Sequence, residues 1–454
     1  MVVVCGNFKT RERVVLMDLP FRPGDPFDIT KVEQGERNLQ THLIFNYARV
    51  LPVGLKEKRN PVPVIVEVQE RYLERFGNVA LAAGVATDRI PNYVYVSLGW
   101  MWNNVFGFGS QLELRGDSGF HQNVWAVSLR YTDIRAFGPG WRFDLFGFGR
   151  SEVTNRLGVV LTAGTSLAVT RYITPALRVF LRYDLYFPQI SPAFIRTAGP
   201  DDSNRATQAD NTLISKLTAG VTWDRRVDED GRPNPLMPHH GWLMAASVAH
   251  GVPTSAADSQ FLTVSGQLVG ILPFRVRSSE FTLIGNLRYD QGFPLSGVAL
   301  PLVERFFAGG DTTTRGYDTD TLKSEIVLVN VSPLAGGQAF RVVPQGGNVR
   351  VLSTLEFQFP IAKTFFGIGF RWVGALFWDM GAIIDSPELV RGSDFKHSLG
   401  ISLLRILTPV GPLSLEYAIP LTQSLAEERW KSNPWYSHFP GKIHFNWGIP
   451  LSRL

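Results

Sequence analysis

One cysteine, Cys5, stands in 454 residues. A lone thiol excludes an internal disulfide framework and any zinc site built on paired cysteines, and it fits an oxidising compartment. Charged residues are also sparse, at 19%, on the low side for a soluble chain. The 45 Lys and Arg against 40 Asp and Glu leave a net charge of +5. These basic residues are scattered rather than gathered in a patch, and no nucleic-acid module is present, so nucleic acid is not an expected partner. An export signal is missing: Met1 to Thr10 have neither a basic start nor an apolar core. The chain is therefore expected to begin inside a longer precursor. Nor is there an uninterrupted apolar run long enough for a membrane helix. The nearest, 365–384, contains Arg371, Asp379 and glycines at 367, 369, 374 and 381.

What is abundant is glycine (43), phenylalanine (31) and aromatics in general (12%). That mixture suits many strands joined by tight turns, with rings at a water–lipid boundary. Mean hydropathy near zero argues against a helical membrane protein but not against a barrel, whose strands are half polar. Within 365–384 the even positions include Phe366, Ile368, Phe370, Trp372, Leu376 and Trp378, whereas the odd ones include Gly369, Arg371, Ala375, Phe377 and Asp379. A period of two with one apolar face describes a strand with lipid on one side and a wet lumen on the other. The same alternation recurs at 93–103, 177–185, 413–421 and 443–452. A soluble barrel would alternate too. Runs approaching the roughly 9–11 residues of a tilted membrane strand favour the membrane form.

Two regions are expected. Residues 1–75 read as a small α+β domain: a strand at Met1–Cys5, a helix over 29–44 capped by Asp28 with Ile29, Val32, Leu39 and Leu43 on its apolar stripe, and a strand at 62–69. Residues 76–454 read as an all-β transmembrane barrel of about sixteen antiparallel strands, an even number. These begin near 77, 92, 107, 121, 141, 156, 175, 212, 241, 258, 280, 348, 366, 396, 412 and 440. The long connections 188–211, 292–347 and 422–439 fall on one side of the membrane and most short turns on the other, 227–240 excepted.

The longest connection, 292–347, contains Glu304-Arg-Phe-Phe-Ala-Gly-Gly-Asp-Thr-Thr-Thr-Arg-Gly-Tyr317. Gly309, Gly310 and Asp311 alone would describe a plain turn. Glu356 and Asp379, however, fall on the lumen face of the next two strands by the alternation, and a guanidinium forks well onto carboxylates. The expectation is that this loop folds inward and is pinned by Arg315 against Glu356 and Asp379. The alternative is that both carboxylates merely line a wet lumen.

The loop from Arg305 to Asp311 and on to Arg315-Gly316-Tyr317 resembles the signature of the BamA/TamA superfamily of outer-membrane assembly factors. Leu355-Glu356-Phe357 and Phe377-Trp-Asp-Met-Gly381 resemble the strands that receive the loop arginine. Thr408-Pro-Val-Gly-Pro412 with Leu415-Glu-Tyr-Ala418 resembles the penultimate hairpin. Gly6 to Thr10 and Val64 to Val68 resemble a POTRA domain, the last before the barrel. Thr314 and the terminal Ser-Arg-Leu454 depart from that pattern. The resemblance implies a sixteen-stranded barrel in the bacterial outer membrane with its POTRA domain in the periplasm. It implies unfolded outer-membrane protein clients, lipid, and periplasmic or inner-membrane accessory proteins as partners, with no cofactor and no chemical step. It also implies a seam between first and last strands that opens sideways, involving Val79, Leu81, Ala83 and Val85 on one edge and Phe445, Trp447, Gly448 and Pro450 on the other. Gly448 and Pro450 fit a weak edge, since proline cannot donate to a ladder, and fit equally a strand that simply ends there.

Other chemistries find little support. His239–His240 in a proline-rich turn has no spaced third ligand and reads as surface. Asp201–Asp202 and Asp228–Asp230 lack the spacing of a calcium loop. No nucleophile–histidine arrangement or phosphate-binding glycine loop is present, so no enzyme is expected. A secretion pore for one dedicated substrate, a barrel lipase and a passive porin are the competing readings.

Overall fold

The structure is a computed structural model, described over residues 2–40, 44–57, 60–71, 78–86, 93–119, 124–154, 158–190, 213–234, 238–253, 260–295, 300–330, 338–362, 372–408, 411–422 and 441–447. The N-terminal part holds β1 (Val2–Cys5), α1 (Glu12–Leu16), α2 (Ile29–Gln40), β2 (Phe45–Pro52) and β3 (Val64–Glu70). Its sheet runs β1-β3-β2, with β1 parallel and β2 antiparallel to β3. β3 buries Val64, Val66 and Val68 on alternate positions, and Val14, Val15, Val32 and Leu39 of the helices cover that face. The Thr30 amide donates to Asp28 Oδ1 at 2.9 Å, which caps α2. Ile29 is exposed rather than part of the core. Leu43 lies outside the described residues.

Two elements here escape sequence reading. β2 carries a register shift between Phe45 and Tyr47, so its buried positions lose the period of two. α1 is only five residues long, too short for a helical period to register.

The barrel begins with β4 (Asn78–Ala86), β5 (Tyr93–Val105), β6 (Ser110–Gly119), β7 (Trp125–Asp133), β8 (Trp141–Thr154) and β9 (Gly158–Tyr172). It continues with β10 (Leu177–Ile190), β11 (Ile214–Asp224), β12 (Gly241–Gly251), β13 (Phe261–Val276) and β14 (Ser279–Pro294). The hairpin β15 (Ser324–Asn330) and β16 (Gln338–Pro344) stands apart as a two-stranded sheet. The last barrel strands are β17 (Val349–Ala362), β18 (Trp372–Ile384), β19 (Lys396–Thr408), β20 (Gly411–Pro420) and β21 (Lys442–Trp447). Among the described residues these sixteen close into one barrel in which β21 meets β4. The expected all-β barrel is thus the fold found. Strand starts agree to within about four residues except at β18, where 363–371 lie outside the described residues. The long connection expected over 292–347 contains the β15–β16 hairpin, which the sequence reading did not place.

Outward positions such as Leu81, Leu98, Leu181, Leu268, Leu355 and Ile443 are exposed, while their neighbours Ser97, Glu356 and His444 are buried toward the lumen. A soluble protein does not leave so continuous an apolar wall in water. Lipid is its solvent. Among the described residues no helix is long and apolar enough to cross a membrane.

The N-terminal part docks on the turns that end β5 and β7. The Arg11 amide donates to Gly107 O at 2.9 Å, Asn104 Nδ2 to Thr10 Oγ1 at 2.7 Å, and Arg135 pairs with Asp18 at 2.5 Å. Burial lowers the Arg135 guanidinium below its ordinary pKa, against the pull of the Asp18 carboxylate. Gly107 has φ +79° and a Cβ there would lie 2.2 Å from Lys9 O, so the close approach requires glycine.

Candidate functional site

After β14 the chain turns into the barrel. Leu300 packs on Ile214 and Phe261, and Glu304 receives Lys216 Nζ at 2.9 Å and the Tyr186 hydroxyl. Phe306 and Gly347 exchange backbone hydrogen bonds at 3.0 Å, which closes the neck of the loop. The tip is a tight turn. Gly309 has φ +118°, and a Cβ there would stand 2.1 Å from Asp318 O. The Gly310 amide donates to Tyr317 O at 3.1 Å, and Thr313 Oγ1 accepts from the Gly309 amide at 2.8 Å. Asp311 is half-buried in this turn.

The turn presents Arg315 to the lumen wall. Its Nε and Nη2 donate to the two oxygens of Asp379 at 2.7 and 2.9 Å, and its own backbone amide adds a third bond to Asp379 at 3.1 Å. Nη1 reaches Glu416 at 3.1 Å and Glu356 at 3.5 Å. The guanidinium lies over the Phe377 ring, 3.3 Å from its centre, a cation–π contact in a dry setting. Arg405 approaches from the other side, bonding Glu356 and, at 2.7 Å, Glu416. Gln358 also donates to Glu356, at 2.6 Å. Three carboxylates therefore share two guanidiniums, all with side chains at most one-third exposed. Burial by itself would lower the Arg315 pKa; the Asp379 bonds and charge, then Glu416 and Glu356, outweigh it and hold the group above its ordinary value. The pairing makes burial tolerable, and an orphaned partner would be costly.

Gly316 and Tyr317 extend the contact. The Gly316 amide donates to His444 Nε2 at 3.0 Å, and the Tyr317 hydroxyl lies 2.6 Å from Thr422 O and 2.9 Å from His397 O. The Tyr317 ring packs with Ala308, Leu322, Leu352 and Ile383. Gly381 makes room for this, since a Cβ there would stand 2.3 Å from Thr314 Oγ1. The geometry thus brings Arg315 to both Asp379 and Glu356.

Sequence reasoning left out Glu416, Arg405, Phe377 and His444 as members of this cluster. Glu416 and His444 were within reach, because alternation puts each on the lumen face of its strand. Arg405 was not. Ser398 and Ser402 face inward and are fully buried, and strict alternation would send position 405 to the lipid. A bulge between Ser402 and Leu404 shifts the phase and sets Arg405 opposite Ser414.

The expected seam residues divide. β4 and β21 share two register pairs among the described residues, Val85 with Trp447 and Ala86 with Asn446. Val79, Leu81 and Ala83 register with β5 at Trp100, Leu98 and Val96, and Phe445 registers with Leu415 of β20. Gly448 and Pro450 lie outside the described residues. Elsewhere, the turn at His239 does gain further donors. Donor atoms of Glu229, His239 and Glu280 all lie within 4.8 Å of one another, with His239 Nε2 2.5 Å from Glu280. Their separation in sequence concealed the trio, and Arg275 takes the second Glu280 oxygen at 3.4 Å.

The profile of the Omp85 superfamily domain matches residues 104–449. The outer membrane protein assembly factor BamA of Neisseria meningitidis serogroup B is 23% identical over 94% of this chain and 54% of its own length. That of Nitratidesulfovibrio vulgaris is 23% identical over 93% of this chain and 48% of its own. The chain spans about half the length of these curated relatives. Among solved structures, BamA from Haemophilus ducreyi lacking POTRA domains 1–3 is similar at a TM-score of 0.71 and 16% identity, over 98% of this chain and 82% of that one. CdiB from Acinetobacter baumannii is similar at 0.55 and 14%, over 98% and 72%.

Proposed function

The chain belongs to the Omp85 superfamily and forms an outer-membrane β-barrel, and from that premise we propose that it helps fold β-barrel or autotransporter clients into the membrane through the β4–β21 seam. The observation that carries this reading is that the barrel closes by pairing its first and last strands, with β21 meeting β4 at Val85–Trp447 and Ala86–Asn446 among the described residues, beside an inward loop that touches β21 through His444. An opened edge presents unpaired amides and carbonyls on which a client strand can add. Clients are unfolded outer-membrane proteins, the apolar outer wall meets lipid, and the N-terminal part is a POTRA domain facing the periplasm, where accessory proteins bind. No step makes or breaks a covalent bond.

Reconstitution in liposomes tests this. Protease-protected folding of a small added barrel client is expected to run several-fold faster than in empty liposomes, with the gain lost in Arg315→Ala. No acceleration, together with a large stable conductance, would favour the reading of a secretion pore, which the resemblance of the fold to CdiB also accommodates.

A further inference from the structure

The inward loop does not stop at the carboxylates of β17, β18 and β20; it reaches the last strand of the barrel. The Gly316 amide donates to Nε2 of His444 at 3.0 Å, and Asp318 pairs with Lys442. Both partners lie on β21, the strand that meets β4 where the barrel closes. His444 is buried and registers directly with Glu416, which Arg315 holds at 3.1 Å. The contact therefore runs from the arginine through Glu416 to the strand that closes the barrel, and separately through the backbone of the next residue.

We infer that His444 and Lys442 are positioning residues through which the loop braces β21 from inside and holds the seam shut. The inference rests on the reading of the seam as the working edge. Among the described residues β21 registers with β20 on one side and meets β4 on the other, and a contact from the lumen would fix it at a third point. The loop supplies that third point, because its own position is set by Asp379 and the Phe306–Gly347 neck rather than by β21. Displacing the loop and freeing the seam are then one event. An imidazole accepts at Nε2 only with its proton on Nδ1, so the acceptor can be imitated by an amide oxygen of matching reach.

The test uses the full chain in liposomes, with Cys5→Ser and a cysteine pair at the seam, Val85→Cys and Trp447→Cys. Disulfide formation is timed with His444 intact, with His444→Ala, with His444→Gln and with Lys442→Gln. A second pair at Leu415→Cys and Phe445→Cys reports the firm side of β21. Seam crosslinking is expected to slow several-fold in His444→Ala and less in Lys442→Gln, to recover in His444→Gln, and to leave the control pair unchanged. Equal seam rates in His444→Ala and the parent would overturn the brace, as would equal slowing of both pairs, which would signify general loosening of β21. Client folding measured on the same samples judges the assembly reading separately. A parent that crosslinks as expected yet fails to accelerate folding would sink that reading and leave the brace standing.

Discussion

The two edges of the loop's surroundings differ sharply in how they are held. Where the loop meets β17, β18 and β20, one guanidinium makes charge-assisted bonds to three carboxylates and stacks on Phe377. Where the barrel closes, β21 and β4 share two register pairs among the described residues, Val85 with Trp447 and Ala86 with Asn446. The first region is fixed by buried charges that cannot part without leaving one orphaned; the second is joined by a backbone ladder, whose parting exposes amides and carbonyls that a partner strand can pair. The contrast is also one of residue type: Arg, Asp and Glu hold the loop, whereas small and apolar residues such as Ala83 and Val85 stand on β4.

The largest effect is expected from Arg315→Ala, which strands Asp379, Glu356 and Glu416 around Arg405 alone. The loss should be about 3–5 kcal/mol, read as protease cleavage within 300–330 that the parent resists. Arg315→Lys should recover little, since an ammonium cannot fork onto Asp379 while reaching Glu416. Next comes Gly381→Val. Its side chain would enter the space of Thr314 and Leu322 and displace the loop at a cost of about 1–3 kcal/mol, with the same cleavage readout but an intact barrel by heat-modified electrophoretic mobility. Glu416→Gln keeps a hydrogen-bonding shape and removes one charge, so about 1–3 kcal/mol is expected, seen as a lower midpoint in urea. The smallest effect belongs to the N-terminal dock, where Asn104→Ala removes the bond to Thr10 and the one Oδ1 accepts from the Gly109 amide. About 1–2 kcal/mol is expected there, detected as faster proteolysis of the N-terminal part with no change in the loop.

The barrel was legible because each strand repeats one message. Leu177, Val179 and Leu181 against Arg178 and Arg182 state the lipid and lumen faces without tertiary help, and the same code placed Glu356 and Asp379 inward. The code fails where the backbone departs from it. One extra residue at 403 reverses the phase of β19 and hides Arg405; the shift after Phe45 hides β2. Residues brought together across the lumen, such as Gly316 and His444, leave no local trace, because nothing in period or spacing links positions 128 residues apart. The β15–β16 hairpin was missed for a different reason: Ile326-Val-Leu-Val329 is apolar without alternation, so it carries no period of two.

The measurement that bears most directly on the account is client folding by the Val85→Cys and Trp447→Cys protein in liposomes, compared oxidised and reduced in one preparation. Acceleration should vanish when the seam disulfide forms and return on reduction, while the Leu415→Cys and Phe445→Cys control is indifferent to oxidation. Equal acceleration with the seam locked would contradict the account, since clients would then be folding without the β4–β21 edge.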